Sequence, residues 1–153
     1  MQDISVKAEE LANAILRGAG FSLHASVSET EQGCLVSIDG ADNGLLLNQG
    51  GELLDALQQI LNQAVGRSLP KGQRIVCDAD NYRAAREAEL RAMAHHAARQ
   101  VRSTGSSFVF GPMDGNERRV IHLTLADEPD LHTESVGEGN ARRLRVSPRA
   151  VSA

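Results

Sequence analysis

Residues 112–125, PMDGNERRVIHLTL, have the pattern of a helix that carries its own start signal. Asp114 stands three residues before Glu117, which is the spacing of a capping box with Asp in the cap position. Pro112 comes just before this signal and ends the strand that precedes it. We therefore predict a helix that begins after Asp114 and runs to about Ala126.

Two side chains of this helix, Arg118 and His122, are four residues apart. That spacing places them on one helix face, one turn from each other, whereas Arg119 is expected to point about 100° away. A guanidinium binds two phosphate oxygens at once and also stacks on a base, and His can donate to a phosphate and gain charge beside it. We expect Arg118 and His122 to project outward as an anion-binding pair. The alternative is a solvated face on which His122 bonds a backbone carbonyl.

The residues that follow alternate in the manner of a β-hairpin. Thr133–Val136 and Arg142–Val146 are the predicted strands, and Gly137–Asn140 is the turn between them. Alternation along the second strand places Arg143 and Arg145 on its outer face. We therefore expect these two Arg side chains to prolong the basic surface of the helix.

A long helix over about Asn81–Arg102 and a short strand over Ser107–Phe110 are predicted before the capped helix. Phe108 and Phe110 share one face of that strand. Because aromatic residues make up only 3% of the chain, we expect both rings to lie in the core rather than to stack on bases.

The first half of the chain is predicted to have the order α-β-β-α-turn-α-β. The break between its second and third helices is Asn48-Gln49-Gly50-Gly51. The predicted elements are a helix over Asp3–Arg17, strands over Phe21–Glu29 and Cys34–Asp39, a short helix over Gly44–Leu47, a helix over Glu52–Val65 and a strand over Arg74–Asp78.

The break lies within residues 44–58, GLLLNQGGELLDALQ, which resemble the signature of a type II KH domain of the Jag (SpoIIIJ-associated) family. In that family a Gly-x-x-Gly loop between two helices lets a nucleic-acid backbone approach closely. The resemblance implies that Asn48, Gln49, Gly50 and Gly51 are candidate binding residues, and that Asn48 tolerates a positive φ.

This loop departs from the family pattern in ways that bear on its charge. Asn48 stands where the first Gly is expected, and residues 48–51 contain no Lys or Arg, while Asp42, Glu52 and Asp55 flank them with negative charge. Since electrostatic contact with phosphate dominates the affinity for nucleic acid, we expect a KH-like scaffold that no longer binds RNA strongly.

The second half resembles the Arg-x-x-x-His (R-3-H) domain that follows the KH domain in Jag proteins. The resemblance covers 112–125, 133–139 (TESVGEG), 142–148 (RRLRVSP) and Tyr82-Arg83-x-x-Arg86-Glu87 in the long helix. It implies an α+β chain with two domains. Residues 1–78 are expected to form a KH-like α-β-β-α-α-β domain, and residues 79–153 a domain of two helices on a three-stranded sheet.

Composition excludes several classes of protein. The chain has 153 residues with 41% hydrophobic content, enough for one core or two small ones. No stretch approaches the roughly 20 apolar residues of a membrane span, and the first residues lack the pattern of a secretory signal. Cys34 and Cys77 show no zinc or disulfide spacing, so we expect buried free thiols in the cytoplasm.

Charge is distributed unevenly between the two halves. Residues 1–78 hold ten acidic and five basic side chains, a net charge of −5. Residues 79–153 hold ten acidic and eleven basic side chains, a net charge of +1, and every base is Arg. A phosphate-bearing partner is therefore expected to prefer the second half.

These patterns favour a protein that binds single-stranded nucleic acid, RNA more than DNA, with no catalysis, cofactor or metal. No nucleophile elbow, phosphate loop or H-E-x-x-H motif occurs. The alternative function is a protein-interaction adaptor that docks on itself or on another KH protein and binds RNA weakly or not at all. Jag relatives commonly carry a further N-terminal domain, which this sequence does not show, so we expect no membrane insertion.

Overall fold

The computed structural model describes residues 2–150, so Met1 and residues 151–153 of the two predicted domains lie outside it. The chain divides into two compact units, residues 1–82 and 83–153, each with its own hydrophobic core. The fold is α+β, as predicted, with four helices and two three-stranded sheets in the described part.

The first unit has the predicted order, with the interrupted helix described as one element. Its elements are α1 (Gln2–Gly18), β1 (His24–Thr30), β2 (Gly33–Asp39), α2 (Asn43–Ala64), a 3₁₀ turn (Gly66–Ser68) and β3 (Arg74–Asp78). β2 lies at the centre of the sheet, antiparallel to β1 and parallel to β3. The α-β-β-α-α-β order is that of the expected KH-like unit.

β1 begins at His24, later than the predicted Phe21. The reason is the way α1 ends. Gly20 has a φ of 81°, and the N–H of Phe21 donates to the carbonyl of Leu16, as in a Schellman cap. Phe21 therefore belongs to the helix end, and its N–H is not available to a strand.

Helix side chains protect both edges of this sheet. Asn13 of α1 donates to the carbonyl of Ala25 and accepts from its N–H, both at 2.9 Å. Asn62 of α2 does the same for Ile75 on the opposite edge strand. Edge strands left open invite pairing with other chains, so these two amides close the sheet while α1 and α2 cover its apolar face.

The second unit has the two helices and three-stranded sheet that the resemblance implied. Its elements are α3 (Tyr82–Thr104), β4 (Phe108–Val109), α4 (Gly115–Leu125), β5 (Leu131–Val136), a 3₁₀ turn (Gly139–Ala141) and β6 (Arg143–Pro148); the first residue of α3, Tyr82, belongs to the first unit. The strand order is β4-β6-β5, all antiparallel. β5 is therefore an edge strand, and α4 packs beside it.

The core of the second unit contains the rings that were predicted to be there. Phe110 is 4% exposed, and Phe108 packs partly buried against the same cluster. Their ring centroids are 5.0 Å apart in an edge-to-face arrangement, which aromatic pairs prefer. Neither ring is presented as an open platform for stacking bases.

Three further features bear on function. Among residues 2–150, no helix has the length and apolarity needed to cross a bilayer. The described His, Cys, Asp and Glu side chains form no group of three that could hold a metal ion. Cys34 and Cys77 are buried free thiols on neighbouring strands.

Candidate nucleic-acid interface

The capped helix starts where the sequence predicts, but its capping box is only half formed. The Asp114 side chain accepts a hydrogen bond from the N–H of Glu117 at 2.9 Å. The Glu117 carboxylate does not return to Asp114; it pairs with the Nε of Arg86 on α3. Asp114 thus fixes the first turn of α4, and Glu117 ties that turn to the long helix.

A groove of about 350 Å³ runs between α4 and the edge strand β5. Both elements contribute polar side chains to it, and its floor is the buried Leu144. The lining residues are Gly115, Arg118, Arg119, His122, Thr133, Glu134, Ser135 and Leu144. The two side chains predicted as an anion-binding pair therefore face one open cleft.

Arg118 is half-buried and held in place from two sides. Its Nη1 donates to the hydroxyl of Ser135 at 2.8 Å, and its Nε donates to the carbonyl of Met113 at 3.3 Å. A guanidinium has five N–H donors, so these two bonds orient the group and leave others for a ligand. The side chain is thus aimed into the groove, whereas the sequence suggested one that projects freely outward.

His122 is exposed, and its Nδ1 is hydrogen-bonded to the hydroxyl of Thr133. This partner is a side chain of β5, not the backbone carbonyl considered as the alternative. The bond fixes the ring through Nδ1 and leaves Nε2 without a hydrogen-bond partner among the described residues.

Arg119 lies on the same groove, although the helical angle placed it about 100° from Arg118. The Arg119 side chain reaches the groove despite this angle because it is long and flexible and can lie across the helix surface. α4 therefore brings two Arg and one His to one cleft.

Arg143 and Arg145 are not part of this groove. They alternate along β6 with the buried Leu144 and Val146, so they lie on the opposite face of the sheet. Arg145 is paired with the carboxylate of Glu134 across the strands, and these hydrogen bonds lower the pKa of Glu134. The positive charge of Arg145 is thereby offset locally.

Arg143 makes a weaker local contact on that face. Its Nε donates to the carbonyl of Ala141 at 3.2 Å. The structure therefore gives α4 and β6 two separate Arg surfaces rather than one continuous one.

The loop over residues 48–51 belongs to the first unit and interrupts α2. Asn48 is extended (φ −63°, ψ 157°), while Gln49, Gly50 and Gly51 have φ values of 52°, 70° and 76°. The turn does not use the positive φ that Asn48 would tolerate, because the left-handed backbone begins one residue later, at Gln49. Gln49 takes a conformation that is uncommon for a residue with a Cβ.

Gly51 is buried against the ring of Tyr82. A Cβ on Gly51 would lie 2.8 Å from Cε1 of that ring, closer than carbon atoms normally approach. The loop is therefore packed from below by an aromatic side chain, and its exposed part consists of Asn48, Gln49 and Gly50, none of which carries a charge.

The sequence did not single out Thr133 and Ser135, which hold His122 and Arg118. The sequence nevertheless contained a pattern that pairs these two residues. The two residues are separated by one position on a predicted strand, so their side chains share a face. What the sequence could not supply was the placement of α4 on that face.

Residues 88–148 match the R-3-H domain, which confirms the Arg-x-x-x-His assignment. The chain is 32% identical to the RNA-binding protein KhpB of Clostridium symbiosum over 143 residues, which cover 92% of this chain and 64% of that protein. It is 32% identical to the RNA-binding protein KhpB of Bacillus subtilis over 149 residues, which cover 96% of this chain and 70% of that one.

A protein of the same name from Lactiplantibacillus plantarum is 29% identical over 136 residues, or 89% of this chain and 42% of that protein. The chain thus spans between 42% and 70% of the length of these relatives. In all three the similarity extends across both units of the fold.

Proposed function

The chain belongs to the KhpB (Jag) family, and from that membership we propose that it binds single-stranded RNA without catalysing a reaction on it. The relatives are named RNA-binding proteins, and the second unit contains an R-3-H domain. The observation that carries the proposal is the groove between α4 and β5, where Arg118, Arg119 and His122 meet.

The groove suits a phosphate for electrostatic and geometric reasons. Arg118 offers N–H donors in a fixed plane, and charge-assisted bonds from such a fork to phosphate oxygens are among the stronger hydrogen bonds. His122 donates from Nε2 when its Nδ1 accepts from Thr133 or when the ring is protonated, and Arg119 adds a second positive charge at the rim. Because Ser135 and Thr133 already orient two of these groups, binding costs little further side-chain ordering.

We assign the KH-like residues 1–78, which lie in the first unit, a lesser part in RNA binding. The loop of Asn48, Gln49, Gly50 and Gly51 allows close backbone approach but supplies no charge. Arg143 and Arg145 are secondary contacts at most, since they lie on the far face of the sheet and Arg145 is paired with Glu134. We also propose that the protein works in the cytoplasm.

The test compares the wild-type protein with the double variant Arg118→Ala and His122→Ala. Affinity for a mixed-sequence single-stranded RNA is measured by fluorescence anisotropy at low and moderate salt. With two or three cations engaged, wild-type affinity is expected to fall about tenfold between roughly 50 and 200 mM salt. The double variant is expected to bind at least about tenfold more weakly at low salt.

The chain offers a matched control on α3. Arg91 and His95 have the same four-residue spacing and are both exposed, but they do not line the groove. Arg91→Ala with His95→Ala removes the same two groups and is expected to keep most of the affinity. Equal losses in the two double variants would contradict the proposed site.

A protein-interaction adaptor is the second candidate function. Three large apolar side chains of α2, Leu45, Leu53 and Ile60, are each 45% exposed or more, and the nearby loop lacks basic residues. On this view the first unit docks on a second copy of the chain or on another KH protein. Failure of the wild-type protein to bind RNA at low salt would favour this function over the first.

A further inference from the structure

A second groove lies at the C-terminal end of α4, with a volume of about 390 Å³. His122 and Thr133 line both this groove and the one that holds Arg118. The two grooves are therefore neighbours along the same edge of the sheet, separated by the His122–Thr133 hydrogen bond. A ligand that binds in the first groove and extends along this edge would therefore reach the second groove.

The second groove has an apolar floor and a polar rim. Leu125 and Leu131 are almost fully buried and close the groove from below, while Ala126 and Pro129 are exposed apolar residues of its lining. Asp127 and Arg149 stand on the rim. Pockets that take flat organic groups combine these features, an apolar surface for the ring and a few polar atoms for its edge.

The two carboxylates of this groove differ in their surroundings. Glu128 accepts a hydrogen bond from Nη2 of Arg102 at 2.6 Å, and the same Arg also binds Asp130, which holds the loop in place. Within the described part of the chain, Asp127 has no hydrogen-bond or ion-pair partner. Asp127 is thus an exposed acceptor with unused capacity.

The presence of Asp127 selects which part of a nucleotide fits here. A carboxylate repels phosphate. Glu134 of the first groove is paired with Arg145, whereas Asp127 of the second has no such partner and is opposed there only by Arg149 among the described lining residues, so the strand backbone is favoured in the first groove. A nucleobase is uncharged, packs on apolar side chains and offers hydrogen-bond donors at its edge. Carboxylates accept hydrogen bonds from the N4 amino group of cytosine, whereas uracil has a carbonyl oxygen at that position.

We propose that the second groove is a nucleobase site that favours a base with an amino group on its pairing edge, cytosine over uracil, through Asp127. The site deepens the proposed function and depends on it, since the phosphate beside this base occupies the Arg118 groove. Arg149 closes the far end, where its Nη2 donates to Nδ1 of His132 at 2.9 Å.

The test uses two nine-nucleotide RNAs, oligouridine and the same strand with one central cytosine. The two bases have nearly the same size, so the comparison isolates the edge groups. Wild-type protein is expected to bind the cytosine strand about three- to tenfold more tightly. Asp127→Ala is expected to remove this preference and to keep or raise the affinity for oligouridine, because a negative charge is lost.

Glu138→Ala is the matched control, because it removes the same charge from an exposed position in the turn before β6. This variant is expected to retain the preference. A wild-type protein that binds both strands equally, or an Asp127→Ala variant that keeps the preference, overturns the nucleobase site and leaves the proposed RNA binding intact. No binding to either strand by wild-type protein overturns both.

Discussion

Arg118 and His122 show what a four-residue spacing can and cannot specify. The same spacing occurs on α3 in Arg91 and His95, which are exposed on an open helix surface where Arg91 pairs with Glu87 at 2.7 Å. The difference lies in the partners on β5. Ser135 and Thr133 turn one of the two pairs into an oriented site, and no property of the spacing itself distinguishes them.

Gly51 is the residue at which the loop of the first unit is most constrained. Its φ of 76° disfavours any side chain, and a Cβ would meet the Tyr82 ring at 2.8 Å. We expect Gly51→Ala to lower the free energy of unfolding by about 2–4 kcal/mol, from backbone strain together with overpacking. Urea unfolding followed by the fluorescence of Tyr82, the chain's single Tyr, measures this loss.

Gly72→Ala separates the two causes. Gly72 also has a positive φ, 87°, but an added Cβ there meets nothing within 4 Å. Only the strain of about 1–2 kcal/mol is expected at this position. If the two variants lose equal stability, the packing of Tyr82 on Gly51 contributes nothing measurable.

At the scale of elements, some boundaries were predictable and others were not. β3 was predicted at its observed limits, Arg74–Asp78, because a short apolar run lies between polar turns. The start of β1 was missed because the Schellman cap of α1 is a matter of backbone geometry. The pairing of Asn13 and Asn62 with strand edges was also beyond the sequence, since it requires knowing which strands lie at the edges.

The N-terminus of α4 is capped by one side chain. Asp114 caps the helix without a reciprocal bond from Glu117, so Asp114→Ala is expected to cost about 1 kcal/mol of stability. Because this turn carries Arg118, we also expect a measurable loss of RNA affinity. Thermal unfolding and anisotropy measure the two effects.

Asp114→Ser is the control for this change, since Ser also caps helices well. It is expected to restore most of the stability and the affinity. If the Ala variant loses stability but keeps full RNA affinity, then the first turn of α4 does not position the groove.

For the whole molecule, the uneven charge of the chain agrees with the placement of the groove. The half with a net charge of −5 contains the uncharged loop, and the half with +1 contains the Arg-lined cleft. Composition and the position of the groove thus favour the same half for a phosphate-bearing partner. It could not predict that Arg143 and Arg145 lie on the opposite face of the sheet from Arg118, because that depends on how α4 packs on β5.

The most direct test of the central claim is an NMR titration of the full chain with a mixed-sequence single-stranded RNA, following backbone amide shifts. We predict that the largest changes fall on residues 115–122 and 133–135, the two walls of the groove, with small changes at residues 48–51. Large changes confined to residues 48–51 and α2, with α4 and β5 unchanged, would contradict the account.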